Sequence, residues 1–140
     1  MVYIDTSVLV AYYSPEPLSE KAEAFLTGQE RMAISNLTEL ELFSALSRKV
    51  REDGLDKSDA GKVAARFLSH VDGNFFEYLT VEPQHFRLAR DWVGLFNSGL
   101  RSLDALHLAI AASVGAPLVT ADLGLAKSAR SLGVEAVLLQ

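Results

Sequence analysis

Short apolar runs alternate along this chain with longer stretches in which an apolar residue returns every third or fourth position. The runs suit strands buried on both faces, and the stretches between them suit amphipathic helices. Val2-Tyr3-Ile4 opens the chain as a strand that stops at Asp5. Thr6 and Ser7 are placed to cap a helix over Val8 to Tyr13, which Ser14-Pro15 ends, and Asp5 taken alone also reads as a helix-capping turn residue. Leu18 to Thr27 carries Ala22, Phe25 and Leu26 on one side and Glu20, Lys21 and Glu23 on the other, which predicts a second helix stopped at Gly28. Met32 to Ser35 reads as the next strand. A long helix then starts near Thr38 and runs to Glu52 or Asp53, with Gly54 as its stop.

The same pattern predicts a helix over Asp56 to Val71 and a strand over Phe75 to Val81. Pro83 suits the first turn of a helix carrying Phe86, Leu88, Ala89, Trp92, Val93 and Phe96. That aromatic side reads as core or subunit contact rather than as a base-stacking platform. Arg101 to Asp122 follows as one unit. It comprises a small-residue helix with Ser102 as N-cap and Asp104 in its first turn, a Gly115-Ala116-Pro117 turn, and an apolar strand, Leu118 to Ala121, that runs into Asp122. Asp122 can cap a helix over Leu123 to Leu132, Gly133 stops it, and Glu135 to Leu139 closes the chain as a strand. The alternation predicts a three-layer α/β/α sandwich around a mainly parallel sheet. With no repeat, linker or low-complexity segment, it predicts one domain over residues 1–140.

Composition narrows the setting. At 49% hydrophobic in 140 residues, the chain has the material for a sizeable core. It has no cysteine, which excludes disulfides and thiolate metal sites and permits a cytoplasmic location. His70, His85 and His107 are too scattered to suggest zinc. No basic lead precedes the first strand, and the longest apolar run, Leu103 to Val119, is broken by Asp104, His107, Gly115 and Pro117, so neither a signal peptide nor a membrane span is expected. A net charge of -5 counts against holding nucleic acid by charge alone. Cations on clustered carboxylates can nevertheless reverse the potential locally.

The acids carry the candidate chemistry. Asp5 ends the first strand, Asp104 starts a helix, and Asp122 ends a later strand. In an α/β sheet, strand C-termini and the adjacent helix N-termini share one edge, where ligands bind. Joined there by a glutamate of the long helix, these aspartates would form a tight cluster. At about 4 Å and an effective dielectric of about 20, each like-charged pair costs roughly 4 kcal/mol, so the cluster must take up protons or hold cations. All-oxygen ligation selects Mg²⁺ or Mn²⁺, and a metal-dependent phosphoryl site is the natural use. The hydroxyls of Thr6, Ser7 and Thr120 can orient carboxylates and bound waters, or serve only as caps and turn bonds. Spacing does not choose between Glu39 and Glu41. Thr38 with Glu41 matches a capping box, and the stripe through Leu42, Phe43, Leu46 and Val50 passes closer to Glu39. Arg48, Lys49 and Arg51 form a basic run that reads as a solvated helix face, with a phosphate-contacting rim as the alternative.

Four stretches resemble the acidic motifs of the PIN-domain family, and most of all its VapC-type toxins. They are Val2-Tyr3-Ile4-Asp5-Thr6-Ser7, the run from Ser35 to Leu46 containing Glu41, Leu103-Asp104-Ala105-Leu106-His107, and Leu118 to Ala126 containing Asp122. Their order and separations cover nearly the whole chain. The resemblance implies that Glu41, followed by Leu42 and the small pair Ser44-Ala45, takes the metal role rather than Glu39. It assigns Asp5, Asp104 and Asp122 as the other metal-facing acids. It further implies a Mg²⁺- or Mn²⁺-dependent endoribonuclease that cuts structured RNA such as tRNA or rRNA and arrests translation. A homodimer and a cognate antitoxin complete what it implies, the antitoxin lying in a groove near the acids and often inserting an arginine. Tyr12, Tyr13, Phe25 and Phe43 lie on helices where such a partner could dock, although each reads first as core.

Rival readings differ in testable ways. A PIN nuclease with an RNA-processing or DNA-cleaving task would use the same acids. A haloacid-dehalogenase-type phosphatase would need a second aspartate where Ser7 stands. A binding module could capture a partner arginine in the acidic pocket without turnover. His107, three residues after Asp104, reads as a core histidine beside the sheet, though it could reach the site.

Overall fold

Five strands, each three or four residues long, form the spine of the molecule in a computed structural model that describes residues 1–140. In chain order the elements are β1 (Val2–Ile4), α1 (Thr6–Tyr13), α2 (Ser19–Thr27), β2 (Met32–Ser35), α3 (Asn36–Arg51), α4 (Lys57–Asp72), β3 (Glu77–Leu79), α5 (Pro83–Val93), α6 (Ser102–Ser113), β4 (Leu118–Thr120), α7 (Leu123–Ser131) and β5 (Ala136–Leu138). The sheet order is β3-β2-β1-β4-β5, and every neighbouring pair is parallel. The registers include Tyr3 opposite Ala33 and Leu118, and Ile4 opposite Val119.

Successive strand side chains point to opposite faces, and the three central strands are apolar on both. Ile4, Ile34 and Val119 pack with Val8, Leu9, Leu26, Leu42 and Phe67 of α1–α4. Tyr3, Ala33 and Leu118 pack with Ala89, Leu108, Ile110, Leu125 and Ala129 of α5–α7. The result is the three-layer α/β/α sandwich expected from the alternation, with a sheet that is wholly parallel. From β1 the chain steps outward through β2 to β3, then returns to lay β4 on the other side of β1. The gap between β1 and β4 is therefore a topological switch point, the place where open parallel sheets hold ligands.

Helix starts differ from the sequence expectation, and the difference matters for the site. Asp5, not Thr6 or Ser7, caps α1, accepting Val8 N–H at 3.2 Å. The two hydroxyls are thereby released for other bonds. Helix α3 begins at Asn36, because Ser35 Oγ accepts Thr38 N–H and Thr38 Oγ1 accepts Ser35 N–H in a reciprocal cap. The capping box expected between Thr38 and Glu41 is absent for the same reason, and Glu41 lies in the second turn. Arg101 occupies the cap position of α6 without a side-chain bond, so Ser102 is the first helical residue rather than the cap. Helix α5 stops at Val93, where Gly94 N–H reaches Arg90 O at 2.8 Å, short of the expected Phe96. The edge strands β3 and β5 are also shorter than predicted, each having only one partner strand.

The basic run sits at the C-terminal end of α3, where cations complement the helix dipole. Lys49 pairs with Glu16 at 2.7 Å and Arg51 bonds Ser47 at 3.0 Å. Ten residues of helix, roughly 15 Å, separate Arg51 from Glu41. No helix is long and apolar enough to cross a membrane.

Candidate active site

The C-terminal edge of the sheet at the β1–β4 switch point brings the predicted acids into one neighbourhood. Asp5 follows β1 directly and is 5% exposed. Its Oδ1 accepts Ser7 Oγ–H at 2.5 Å as well as Val8 N–H, and its Oδ2 accepts Thr120 Oγ1–H at 2.5 Å. Burial pushes the Asp5 carboxyl above the usual aspartate range, and the donors from Ser7 and Thr120 only partly offset it. Ser7 and Thr120 also tie the two strand ends together. Ala121 N–H donates to Ser7 Oγ, and Asp122 N–H donates to Thr120 Oγ1, each at 3.0 Å.

Asp122 stands two residues past the end of β4 and caps α7, its Oδ1 accepting Leu125 N–H at 3.1 Å. Gly124 leaves room for that carboxylate, since a Cβ there would stand 3.2 Å from Asp122 Oδ1. Asp104 is in the first turn of α6, and with Asp122 it lines a cleft of about 240 Å³ together with Arg101 and Ser128. A second cleft of about 310 Å³ is lined by Asp104 and Glu41. Asp104 thus belongs to both, while Asp5 lines neither. Burial raises the Asp104 carboxyl above its ordinary range; Arg101, whose Nε is 3.5 Å from Asp104 Oδ2, pulls it down, and the neighbouring Asp122 charge pushes it up.

Glu41 enters from α3. Its Oε1 accepts Thr6 Oγ1–H at 2.7 Å and is also bonded by His107 Nε2. Burial works to raise this carboxyl, but the bond and charge of His107 together with the Thr6 hydroxyl hold it below the usual glutamate range. Glu39 faces elsewhere, accepting the Tyr78 hydroxyl at 2.9 Å at the surface beside Leu40 and Phe43. The buried side of α3 runs through Thr38, Leu42, Ala45 and Leu46, and this brings Glu41 to its edge. A stripe drawn through Phe43 and Val50, which are not buried, passes instead by Glu39, which lies away from Asp104.

Two further residues join the acids. His107 is 3% exposed, so the reading of it as a core histidine holds, and it reaches Glu41 as well. Tyr3, fully buried in β1, was missed; its hydroxyl bonds His107 Nδ1 and Ser35 Oγ, each at 2.8 Å, and Thr38 Oγ1 at 3.2 Å. Burial pushes the Tyr3 phenol up to about 12. The available signal was a tyrosine in a strand apolar on both faces, because a buried phenol must find partners. Of the aromatics considered for docking, Tyr13 is core, Tyr12 and Phe25 are partly buried against it, and Phe43 is 37% exposed.

Could these residues hold an ion? The donor set is entirely hard oxygen, which fits Mg²⁺ or Mn²⁺ and not a thiophilic metal. No three of the chain's histidine and carboxylate side chains stand as a ready-made ligand cage. Mg²⁺ does not need one, since it keeps several waters and is held by one or two carboxylates plus phosphate. The clefts meeting at Asp104 have space for those waters, and the space beside Gly124 leaves the Asp122 carboxylate unobstructed.

A PIN-domain family model matches residues 2–131. The chain is 31% identical to Ribonuclease VapC46 of Mycobacterium tuberculosis over 140 residues, covering 97% of this chain and 95% of that protein. Among solved structures, VapBC2 from Rickettsia felis, bound to a DNA fragment from its promoter, aligns over 100% of both chains at 19% identity with a TM-score of 0.72. VapC20 of M. tuberculosis, a Sarcin-Ricin loop cleaving toxin, aligns over 84% of this chain and 87% of that one at 18% identity with a TM-score of 0.68.

Because the folded Asp104 carboxyl titrates above its unfolded value, its ionisation weakens the fold as pH rises through the folded value. Asp104→Asn is expected to raise the melting temperature of the metal-free protein at pH 7, with the gain shrinking as pH falls towards the unfolded value near ~3.9. Thermal scans with EDTA across that range check it, and a less stable variant at pH 7 would contradict the assignment.

Proposed function

This chain belongs to the PIN-domain family, among the VapC-type ribonuclease toxins of toxin-antitoxin systems, and we propose that it cuts structured RNA with a divalent ion held among Asp5, Glu41, Asp104 and Asp122. The ion is Mg²⁺ or Mn²⁺, the substrate a tRNA or rRNA, the consequence translation arrest in the cytoplasm, and residues 1–140 act as one nuclease domain. The observation that carries the reading is the sharing of Thr120 Oγ1 by Asp5 and Asp122 at adjacent strand ends, with Asp104 lining one cleft with Asp122 and a second with Glu41.

A bound ion would act as a Lewis acid towards a phosphate oxygen and generate a nucleophile from water at neutral pH. The chain's own residues prepare the place. Ser7 and Thr120 fix the plane of the Asp5 carboxylate, and Thr6 fixes Glu41. Asp104 and Asp122 hold negative charge on the open side of the cleft. Arg101, 79% exposed at the rim, offers a phosphate its first cation on a chain whose net charge is -5.

Two partners belong to the proposal. A cognate antitoxin would cover the cleft of about 310 Å³ formed by Leu40, Phe43 and Leu68, which are 68%, 37% and 40% exposed. A second copy would cover the larger apolar cleft of about 590 Å³ between α5 and α6, where Phe86, Val93, Phe96 and Leu103 are exposed. The aromatic side expected over Phe86 to Phe96 is thus divided, with Trp92 and Leu88 of α5 packed against the core, Phe86 of α5 left outside, and Phe96 exposed beyond the end of the helix.

Purified protein should cleave a structured RNA with Mg²⁺ or Mn²⁺ and stop with EDTA. Asp5→Asn, Asp104→Asn and Glu41→Gln should each lose roughly 100-fold or more, while Glu39→Gln stays near wild type. Full activity in EDTA, or equal behaviour of the two glutamate variants, would sink the assignment. Light scattering should give the mass of two chains, falling to one in Phe96→Asp; a monomeric wild type would remove the dimer.

A further inference from the structure

We propose that His107, braced by Tyr3, is a positioning residue for Glu41: it commits Oε1 to the protein and leaves Oε2 turned to the site. The inference rests on the metal role of Glu41 proposed above and assigns a function to a side chain otherwise classed as core.

The geometry is that of a buttress crossing three elements. His107 lies one turn after Asp104 on the buried side of α6. Its Nε2 bonds Glu41 Oε1, and its Nδ1 bonds the Tyr3 hydroxyl at 2.8 Å. Tyr3 comes from β1 and is anchored by Ser35 and Thr38, the reciprocal cap of α3. A continuous path of bonds therefore leaves the start of α3, passes through the sheet and α6, and returns to α3 at Glu41. An ionised carboxylate has no proton to give, so the His107–Glu41 bond requires Nε2–H as donor whatever the state of Nδ1. Thr6 donates to the same oxygen. Oε2 receives no bond from the chain, and with two donors on Oε1 the carboxylate cannot swing without breaking both.

Packing does not call for an imidazole here. On that side of α6 the next turn presents Ile110 and Ala111, both buried and apolar, and a leucine would suit them better than a ring needing two polar partners. Its polar atoms are both used, and no buried side-chain polar atom lacks a partner. Groups that orient a metal's ligands typically matter 10–100-fold in affinity or activity, while a residue serving only to fill space affects stability alone.

The test measures Mn²⁺ binding to the purified full-length protein by calorimetry, beside kcat and KM on a structured RNA. His107→Leu should weaken Mn²⁺ binding by roughly 10–100-fold and lower kcat while KM stays within about threefold. His107→Gln, which can still donate to Glu41, should recover most of the loss. Tyr3→Phe keeps the ring and removes the brace, so it should shift binding in the same direction by less; it carries the test if His107→Leu fails to fold. Combined with Glu41→Gln, His107→Leu should add no further loss. Wild-type Mn²⁺ affinity in folded His107→Leu, or in Tyr3→Phe where His107→Leu is unfolded, overturns the proposal. If Glu41→Gln alone leaves Mn²⁺ binding unchanged, the fault lies in the reading of Glu41 and the positioning role falls with it.

Discussion

A carboxylate at 5% exposure must be surrounded by donors, and much of this structure is arranged around that requirement at Asp5. The three donors come from two places: the Ser7 hydroxyl and the Val8 N–H in the first turn of α1, and the Thr120 hydroxyl at the last residue of β4. The parallel pairing of β1 with β4, with Ile4 opposite Val119, is what brings Thr120 within reach. Burial still outweighs these donors, so the group sits above its ordinary pKa and the fold carries an unrelieved electrostatic demand. Asp104 shows the same shift from the open side. Glu41, with His107 and Thr6 beside it, is shifted the other way, so Asp5 and Asp104 are the acids whose ionised forms a bound cation would relieve.

The surrounding architecture exists to tolerate this. Small residues let α6 pack tightly on the sheet, with Ala105, Leu108, Ala109, Ile110 and Ala111 all buried, which fixes Asp104 at its N-terminal end. On the other face, the reciprocal cap of Ser35 and Thr38 sets the start of α3 and hence the turn on which Glu41 emerges. Tyr3 and His107 join these two faces through the sheet with polar bonds, where neighbouring positions use only apolar contact. Such a buried network specifies one arrangement provided every member is satisfied, as it is here.

Layer order and strand positions were legible in the sequence because fully buried parallel strands read as short apolar runs between amphipathic helices. Asp5, Asp104 and Asp122 were legible because strand ends and helix starts share an edge in such a fold. Helix starts were not, since several hydroxyl or carboxylate residues compete at each boundary; at α1, Asp5, Thr6 and Ser7 were all candidates and Asp5 took the cap. Glu41 was ambiguous on periodicity, because the buried stripe of α3 includes the polar Thr38 and excludes the apolar Phe43. His107 was legible as a core residue able to reach the site, but its partner Glu41, 66 positions away, was not, and Tyr3 escaped altogether because the histidine it bonds lies 104 positions away. Residue type signals the need for such partners, but only the folded layers identify them.

The central claim is that these acids form one divalent-cation site. Its most direct test is a crystal of the wild-type protein soaked in Mn²⁺ and measured for anomalous scattering. A peak is expected in the clefts that share Asp104, within coordinating distance, directly or through water, of Glu41 or Asp122. A well-diffracting crystal with no peak there, or with its only strong peak at a surface carboxylate such as Glu39, would contradict it.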